Sequence, residues 1–283
     1  MTERKPLNIV FWGEDTFSCI ILHSLIEAGH HVKLVVTPLY ENLVYKKLEF
    51  TCNSFDIPLL RIKKINSEET YKVVKEANPD LCVISHFERL IKKPLLDIPK
   101  LGFINLHPSL LPNHRGLTPQ HWPIIDGDKE AGITIHYVDE GTDTGNIILQ
   151  KRFPLKGDEY VKDLQKIWMN YYQTVMVEAI DKILAGEPTK SQEGLTGTYH
   201  GRLTEEECQI NLNGTSQQAY NLVRGISLPY HGAQVGNVII WKAHLDAGRK
   251  VGDTHLGLHL ETLDGNYIVF NDGLLFIDKY QKI

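Results

Sequence analysis

The chain reads as an α/β protein, a Rossmann-like and mostly parallel sheet with a smaller β-rich C-terminal domain. Three observations predict this. Over the first hundred residues, short apolar runs alternate with helical patterns, the order expected of a sheet covered by helices on both faces. Beyond residue 202 the pattern changes to short strand-like runs divided by Gly, Asp and Asn. At 283 residues the chain also exceeds the usual single-domain size. The expected division is therefore 1–202 for a catalytic domain and 203–283 for a small companion.

Each element follows from its residues. LNIVFW (7–12) has the unbroken apolar character of a buried strand, and Phe17, Ile20, Ile21, Ser24, Leu25 and Ala28 then recur at helical spacing behind a cap at Asp15 or Thr16. HVKLVVT (31–37) is a second strand and 58–62 a short third. Asn66 or Ser67 caps a helix running to Ala77, and DLCVIS (80–85) and GFINLH (102–107) are further buried strands. GITIHYVD (132–139) and NIILQKRFPL (146–155) flank a Gly-rich turn. Leu164, Ile167, Trp168, Tyr171, Tyr172, Val175, Ile180 and Ile183 keep one face of a long helix over 158–184 apolar, ended by Gly186 and Pro188. The stretch 190–202, rich in Gly, Thr and Ser, reads as a linker. Near Thr215 to Gly225 a helix is expected, followed by strands such as NVIIWKA (237–243) and NYIVF (266–270).

Bulk properties exclude several classes. Apolar residues make up 42% and charged residues 23%, with a mean hydropathy of -0.22, so neither a disordered tail nor a fibrous repeat fits. No stretch approaches the roughly 18 apolar residues of a membrane span, and Leu7 to Trp12 is too short for a secretory signal core. Cys19, Cys52, Cys82 and Cys208 lie far apart with no C-x-x-C pair, which predicts reduced thiols, a cytoplasmic location and no metal site. A net charge of -5 offers no general attraction to a phosphate backbone.

Chemistry concentrates in two strings, GFINLHPSLLPNHRG and GITIHYVDEGTDTGNIILQ. Asn105 and His107 stand two apart in a strand and so project from one face, at the carboxyl end where α/β sheets bind ligands. Asp143 lies in the turn GTDTG. An amide, an imidazole and a carboxylate suit acyl transfer to an amine: the amide and imidazole can hold a developing oxyanion, and imidazole titrates near working pH. Read singly, each is as well explained as a cap or turn residue, and spacing alone leaves both readings open.

The strings N-L-H-P-S-L-L-P with R-G, then H-Y-V-D-E-G-x-D-T-G, resemble the formyltransferase family that uses 10-formyltetrahydrofolate, over most of residues 5–185. The resemblance implies the formyltransferase fold, Asn105, His107 and Asp143 as catalytic residues, and 10-formyltetrahydrofolate as formyl donor. It also implies a pterin slot along two loops: Ser85, Phe87, Arg89, Leu90 and Ile91 in the first, Val138, Asp139, Glu140 and Gly141 in the second. Without it, these would be a surface loop and a hairpin turn.

Members of the family differ in their acceptor. GEDTFS (13–18) is not the Gly/Ser-rich phosphate loop of the purine-pathway enzymes, which also lack the last 80 or so residues. Hydrolases of the same donor share His114, Arg115 and Trp122 in this pattern, but some lack the Asn that stands here at 105. AYNLVRGISLPYHGA with VIIWKA resembles the companion domain of both methionyl-tRNA formyltransferases and nucleotide-sugar N-formyltransferases. The tRNA enzymes usually carry a basic insertion after the second strand and an Ala-rich string after R-G. This chain has TPLYENLVYKKLEF and LTPQHW instead, and residues 203–283 hold 6 Lys+Arg against 9 Asp+Glu. A net of -3 there repels a tRNA backbone. The expectation is therefore a small-molecule nucleotide sugar, a dTDP-linked 3- or 4-amino-deoxyhexose, rather than a nucleic acid. Trp12, Gly13, Arg115, His121, Trp122 and Tyr220 are its candidate contacts, from polarity, position and stacking capacity. Core packing competes at Trp12 and Trp122, and a structural tie to the HPSLLP turn competes at Arg115. A catalytically silent folate-binding protein is the non-enzyme alternative, opposed by the intact trio. The strand edges of the β-rich domain suit a homodimer.

Overall fold

In the computed structural model, residues 5–39 and 46–283 are described; the segment 40–45 of the expected insertion site and residues 1–4 lie outside them. The chain forms two compact units. The first holds residues 1–116, 132–152 and 167–199, and the second 117–131, 153–166 and 200–283. The expected boundary near 202 thus describes only the last crossing. Two earlier segments join the C-terminal residues, because α5 (Trp122–Ile125) packs on α8 (Ser216–Gly225) and the Tyr160 hydroxyl donates to the Ala243 carbonyl at 3.0 Å.

The first unit is built on β1 (Asn8–Gly13), β2 (His31–Pro38), β3 (Leu59–Ile62), β4 (Leu81–Ser85) and β5 (Phe103–His107), with the long strands β7 (Glu130–Tyr137) and β8 (Ile147–Pro154) beyond the two-residue β6 (Arg115–Gly116). Their order in the sheet is β3-β2-β1-β4-β5-β7-β8. β1 to β5 are parallel and β7 runs antiparallel to β5. Ile9, Val10, Phe11 and Trp12 are all fully buried, so β1 is covered on both faces, as its unbroken apolar run predicts. Each such side chain contributes roughly 1.5–3 kcal/mol of burial free energy.

Helices α1 (Thr16–Glu27), α2 (Lys46–Ser54), α3 (Glu68–Glu76) and the short α4 (Lys93–Leu96) follow the early strands. Asp15 caps α1 in a capping box: its side chain accepts from Ser18 N at 2.9 Å and the Ser18 hydroxyl turns back toward Asp15 N. Ser67, not Asn66, caps α3. The long helix expected over 158–184 is instead α6 (Val161–Tyr172) and α7 (Val175–Leu184). The break falls at Thr174, whose φ of -129° leaves the helical region. Tyr172 and Val175 are buried on either side of it, so the apolar period continues through a bend that periodicity does not detect. α1 packs against both α2 and α7.

The residues expected to be a linker are ordered against the first unit. Lys190 and Ile147 exchange backbone hydrogen bonds at 2.8 Å, Gln192 is buried, and Arg115 N donates to the Thr198 carbonyl at 3.0 Å, just before the two-residue β9 (Tyr199–His200). Most of the segment is exposed, and it is Gln192 and these backbone bonds that tie it down.

In the second unit, α8 covers β11 (Val238–Leu245) and β14 (Gly273–Lys282) of a five-stranded antiparallel sheet. Its order is β10 (Ala233–Val235), β11, β14, β13 (Gly265–Phe270) and β12 (Gly257–Thr262). Thr215 and Gln218 form the capping box of α8. Val223, Ile226, Ile240, Ile268 and Leu275 form the centre of its core, each fully buried. All four cysteines are free and buried. Among the described residues no helix is long and apolar enough to cross a membrane.

Candidate active site

The first unit brings Asn105, His107 and Asp143 together at the carboxyl end of β5. Asn105 and His107 share a face of β5 by strand alternation, and register sets Asn105 opposite His136 of β7. The turn between β7 and β8 returns Asp143 to both. Its Oδ1 lies 3.5 Å from Asn105 Nδ2 and 3.4 Å from His136 Nε2. Its Oδ2 accepts the Gly116 N–H at 2.9 Å and lies 3.6 Å from His107 Nδ1.

Two carbonyls decide where the imidazole protons sit. His107 Nε2 faces the His114 carbonyl at 2.8 Å, so Nε2 carries a proton and Nδ1 is the position open to proton transfer beside Asp143. His136 Nδ1 faces the Tyr137 carbonyl at 2.7 Å and likewise carries a proton. Its Nε2 lies between the Asp143 carboxylate at 3.4 Å and Asn105 Nδ2 at 3.3 Å. Burial holds His107 below the ordinary imidazole value, against an opposing pull from Asp143. Burial alone raises the Asp143 carboxyl, but His107, His136 and the Gly116 amide outweigh it and hold the group well below the usual carboxylate range. The site thus pairs a fixed carboxylate with an imidazole whose proton affinity burial lowers and that carboxylate partly restores.

The loop bearing Asp143 has little freedom. Asp143 adopts φ +54°, the left-handed region, and a Cβ on Gly145 would lie 1.9 Å from the Tyr137 carbonyl oxygen. Asp139, a candidate pterin contact, accepts from Gly141 N at 3.0 Å and Thr144 Oγ1 at 2.7 Å, which knits this turn. Glu140 and Gly141 are exposed beside it, and Val138 packs on the cluster around Trp12.

The other candidate loop, 85–91, is held at both ends. The Ser18 hydroxyl donates to the Ser85 carbonyl at 2.8 Å, Glu14 Oε1 accepts from Glu88 N at 2.7 Å, and Asn66 Nδ2 donates to the Leu90 carbonyl at 2.9 Å. Ser85 and Ile91 are buried, while Arg89 and Leu90 are exposed and Phe87 is half-buried edge-on to the Trp12 ring. Ile91 belongs to the apolar cluster around Trp12, and Phe87 and Val138 both pack against it.

The candidate sugar-nucleotide contacts are dispersed. Trp12 is fully buried among Phe87 and Phe103, with its indole directed to Cys82, so it packs the core of the first unit. Gly13 ends β1 where a Cβ would meet Ser18 at 2.7 Å. Arg115 is half-buried and donates to Gln192 Oε1 at 2.9 Å. His121, Trp122 and Tyr220 belong to the second unit. There Trp122 stacks on His200 at 3.8 Å, and Tyr220 lies under the Arg224 guanidinium, which binds the Glu159 carbonyl and Asn221 rather than a carboxylate. Trp12, His121 and Trp122 are each at most 8% exposed, which corrects their reading as open ligand contacts: their aromatic bulk is spent on packing.

His121 is a neutral structural histidine. Its Nδ1 donates to the Gly225 carbonyl at 2.7 Å, and burial pushes the ring down to about 4. An unfolded histidine takes up its proton near ~6.5, so between about 6.5 and 4 only the unfolded chain is protonated there. Stability contributed above that window is lost as pH falls through it. In thermal unfolding over this window, His121→Gln is expected to lose less Tm than the wild type; parallel curves would refute the assignment.

Residues missed by sequence reasoning are His136, the Gly116 amide, the His114 carbonyl and Gln192. Only His136 carried even a partial signal, in the H-Y-V-D string; the register of β7 on β5 then sets it beside Asn105 on the same face.

A family model described as formyl transferase matches residues 8–180. A methionyl-tRNA formyltransferase of Citrifermentans bemidjiense is 34% identical over 235 residues, covering 80% of this chain and 73% of that protein. One from Clostridium acetobutylicum is 33% identical over 288 residues, covering 97% and 92%. Among solved structures, an N-formyltransferase from Helicobacter canadensis, in complex with folinic acid and dTDP-3-aminofucose, superposes with a TM-score of 0.71 at 21% identity. It covers 97% of this chain and 100% of that one, a likeness of fold.

Proposed function

We propose that this chain, which belongs to the formyl transferase family, moves a formyl group from a folate-type donor to the amine of a nucleotide-linked amino sugar. That it is an N-formyltransferase follows from the family; the acceptor is our inference. The observation that carries the chemistry is the Asp143 carboxylate, which lies within 3.6 Å of Asn105, His136, His107 and the Gly116 amide.

The donor, 10-formyltetrahydrofolate, supplies the formyl carbon, and the apolar cluster of Phe87, Ile91 and Val138 suits a flat heteroaromatic ring. When the acceptor amine attacks, negative charge grows on the formyl oxygen, and the Asn105 amide is aimed to donate to it. The attacking nitrogen must shed a proton. His107 Nδ1 is open to take it, because its Nε2 is committed to the His114 carbonyl, and Asp143 stabilises the resulting imidazolium. The C–N bond to the acceptor forms as that to the donor nitrogen breaks, and the proton held by His107 passes to that nitrogen, so that tetrahydrofolate leaves neutral.

A sugar nucleotide is supported by the net charge of -3 over residues 203–283 and by a paired Lys46 and Lys47 in place of a basic run. It is also consistent with the ligand of the Helicobacter canadensis structure. The methionyl-tRNA reading rests on the 33–34% identity of the bacterial relatives. We place the enzyme in the cytosol on its four free, buried cysteines, with the outer edge of β12 as the surface for a second copy, since Cys208 and Ile210 already bond the edge of β10 through Gln234. The deciding test supplies 10-formyltetrahydrofolate with dTDP-, UDP- and GDP-amino sugars, with initiator methionyl-tRNA, or with no acceptor. Formylation of a dTDP-amino sugar is expected; turnover with the tRNA alone, or without acceptor, overturns the proposal.

A further inference from the structure

Gln192 is only 3% exposed although its surroundings in the sequence read as a linker. Its Nε2 donates to two carbonyls of the catalytic loop, that of Asp143 at 3.0 Å and that of Gly145 at 2.6 Å. Its Oε1 accepts from Arg115 Nη2 at 2.9 Å, which leaves the amide nitrogen directed at the loop. Asp143 is a non-glycine residue in the left-handed region, a conformation that persists only where its surroundings impose it. Gln192 grips its backbone, while the Gly116 amide, next to Arg115, grips its carboxylate at 2.9 Å. One short segment, Arg115–Gly116, thereby fixes both ends of Asp143.

We propose that Gln192 is a positioning residue for formyl transfer: its amide, oriented by Arg115, holds Asp143 in the conformation that presents its carboxylate to Asn105 and His107. This rests on the reading of Asp143 as part of the transfer machinery. It assigns Arg115 to the same support rather than to the acceptor. The buried side chain acts through donation, which only the amide can supply: a carboxylate of the same size keeps the bond from Arg115 but turns lone pairs toward the two loop carbonyls.

Gln192→Glu is therefore the informative variant, and Gln192→Ala, which removes the grip without adding charge, stands beside it should the first fail to fold. Two independent readouts are taken on the full chain. With whichever acceptor the wild type uses, kcat is expected to fall by about 10- to 100-fold while KM for donor and acceptor stays within about threefold, the mark of misplacement rather than lost binding. The second readout needs no acceptor, so it still tests Gln192 if the acceptor assignment fails. His107 is titrated by NMR, its signal assigned with His107→Gln. The groups facing it are Asp143 and the His114 carbonyl, which raise its proton affinity, and the His136 and His114 rings, which lower it. If Asp143 swings away, the His107 midpoint drops in both Gln192 variants. An unchanged midpoint, an unchanged kcat, or a Tm loss with kcat intact would each overturn the proposal.

Discussion

Replacing Asp143 by Asn is expected to lower kcat by about 10³- to 10⁴-fold, by analogy with the loss of a carboxylate that orients a catalytic histidine. The substitution is conservative in the backbone, because Asn tolerates the left-handed conformation that Asp143 adopts at φ +54°. The bonds from Gln192 to the loop carbonyls are made to the backbone and survive. What is lost is charge and one acceptor. An amide nitrogen in either position of the carboxylate opposes a donor, the Gly116 N–H on one side or the Asn105 amide on the other. His107 also loses the anion 3.6 Å from Nδ1 that stabilises its protonated form. Donor affinity, measured by calorimetry, should be unchanged, since Asp143 faces Asn105 and His107 rather than the proposed pterin contacts Phe87, Ile91 and Val138. A kcat within tenfold of wild type would remove Asp143 from the mechanism.

Asn105→Ala is expected to cost about 10²- to 10³-fold in kcat, the usual effect of deleting one donor to a developing oxyanion. Asn105 is half-buried at the end of β5, and its Nδ2 contacts to His136 and Asp143 are long, at 3.3 and 3.5 Å. Those bonds orient the amide without saturating it, so it can strengthen its donation when charge appears. The loss should fall on kcat with KM little changed, as for an interaction made mainly in the transition state. Steady-state kinetics at a saturating amino sugar make the check, and retention of wild-type kcat would sink the assignment.

The strands and most helices were legible because their signals are local. Unbroken apolar runs marked β1, β4 and β5, Asp15 and Ser67 stood at caps, and the Gly-rich turn between β7 and β8 had a composition that turns require. The break at Thr174 escaped, since burial on both sides keeps the apolar period in step across it. Candidate ligand residues fared by the same rule. Motif context singled out Asn105, His107 and Asp143, which the structure brings together, whereas polarity and aromaticity gave no sign of the burial of Trp12, His121 and Trp122, whose surroundings come from distant parts of the chain.

By itself the sequence determined the fold class, the candidate trio of Asn105, His107 and Asp143 and the acidic character of the C-terminal segment, because each is written in neighbouring residues or in a simple count. Only the tertiary structure decided which groups surround Asp143. His136 reaches it through strand register, Gly116 through a backbone N–H, and Gln192 through a segment 49 positions away whose composition suggests nothing buried. Hydrogen bonds to backbone leave no mark on residue type at the accepting end, and that is why the support of the site stayed hidden while its reacting side chains did not.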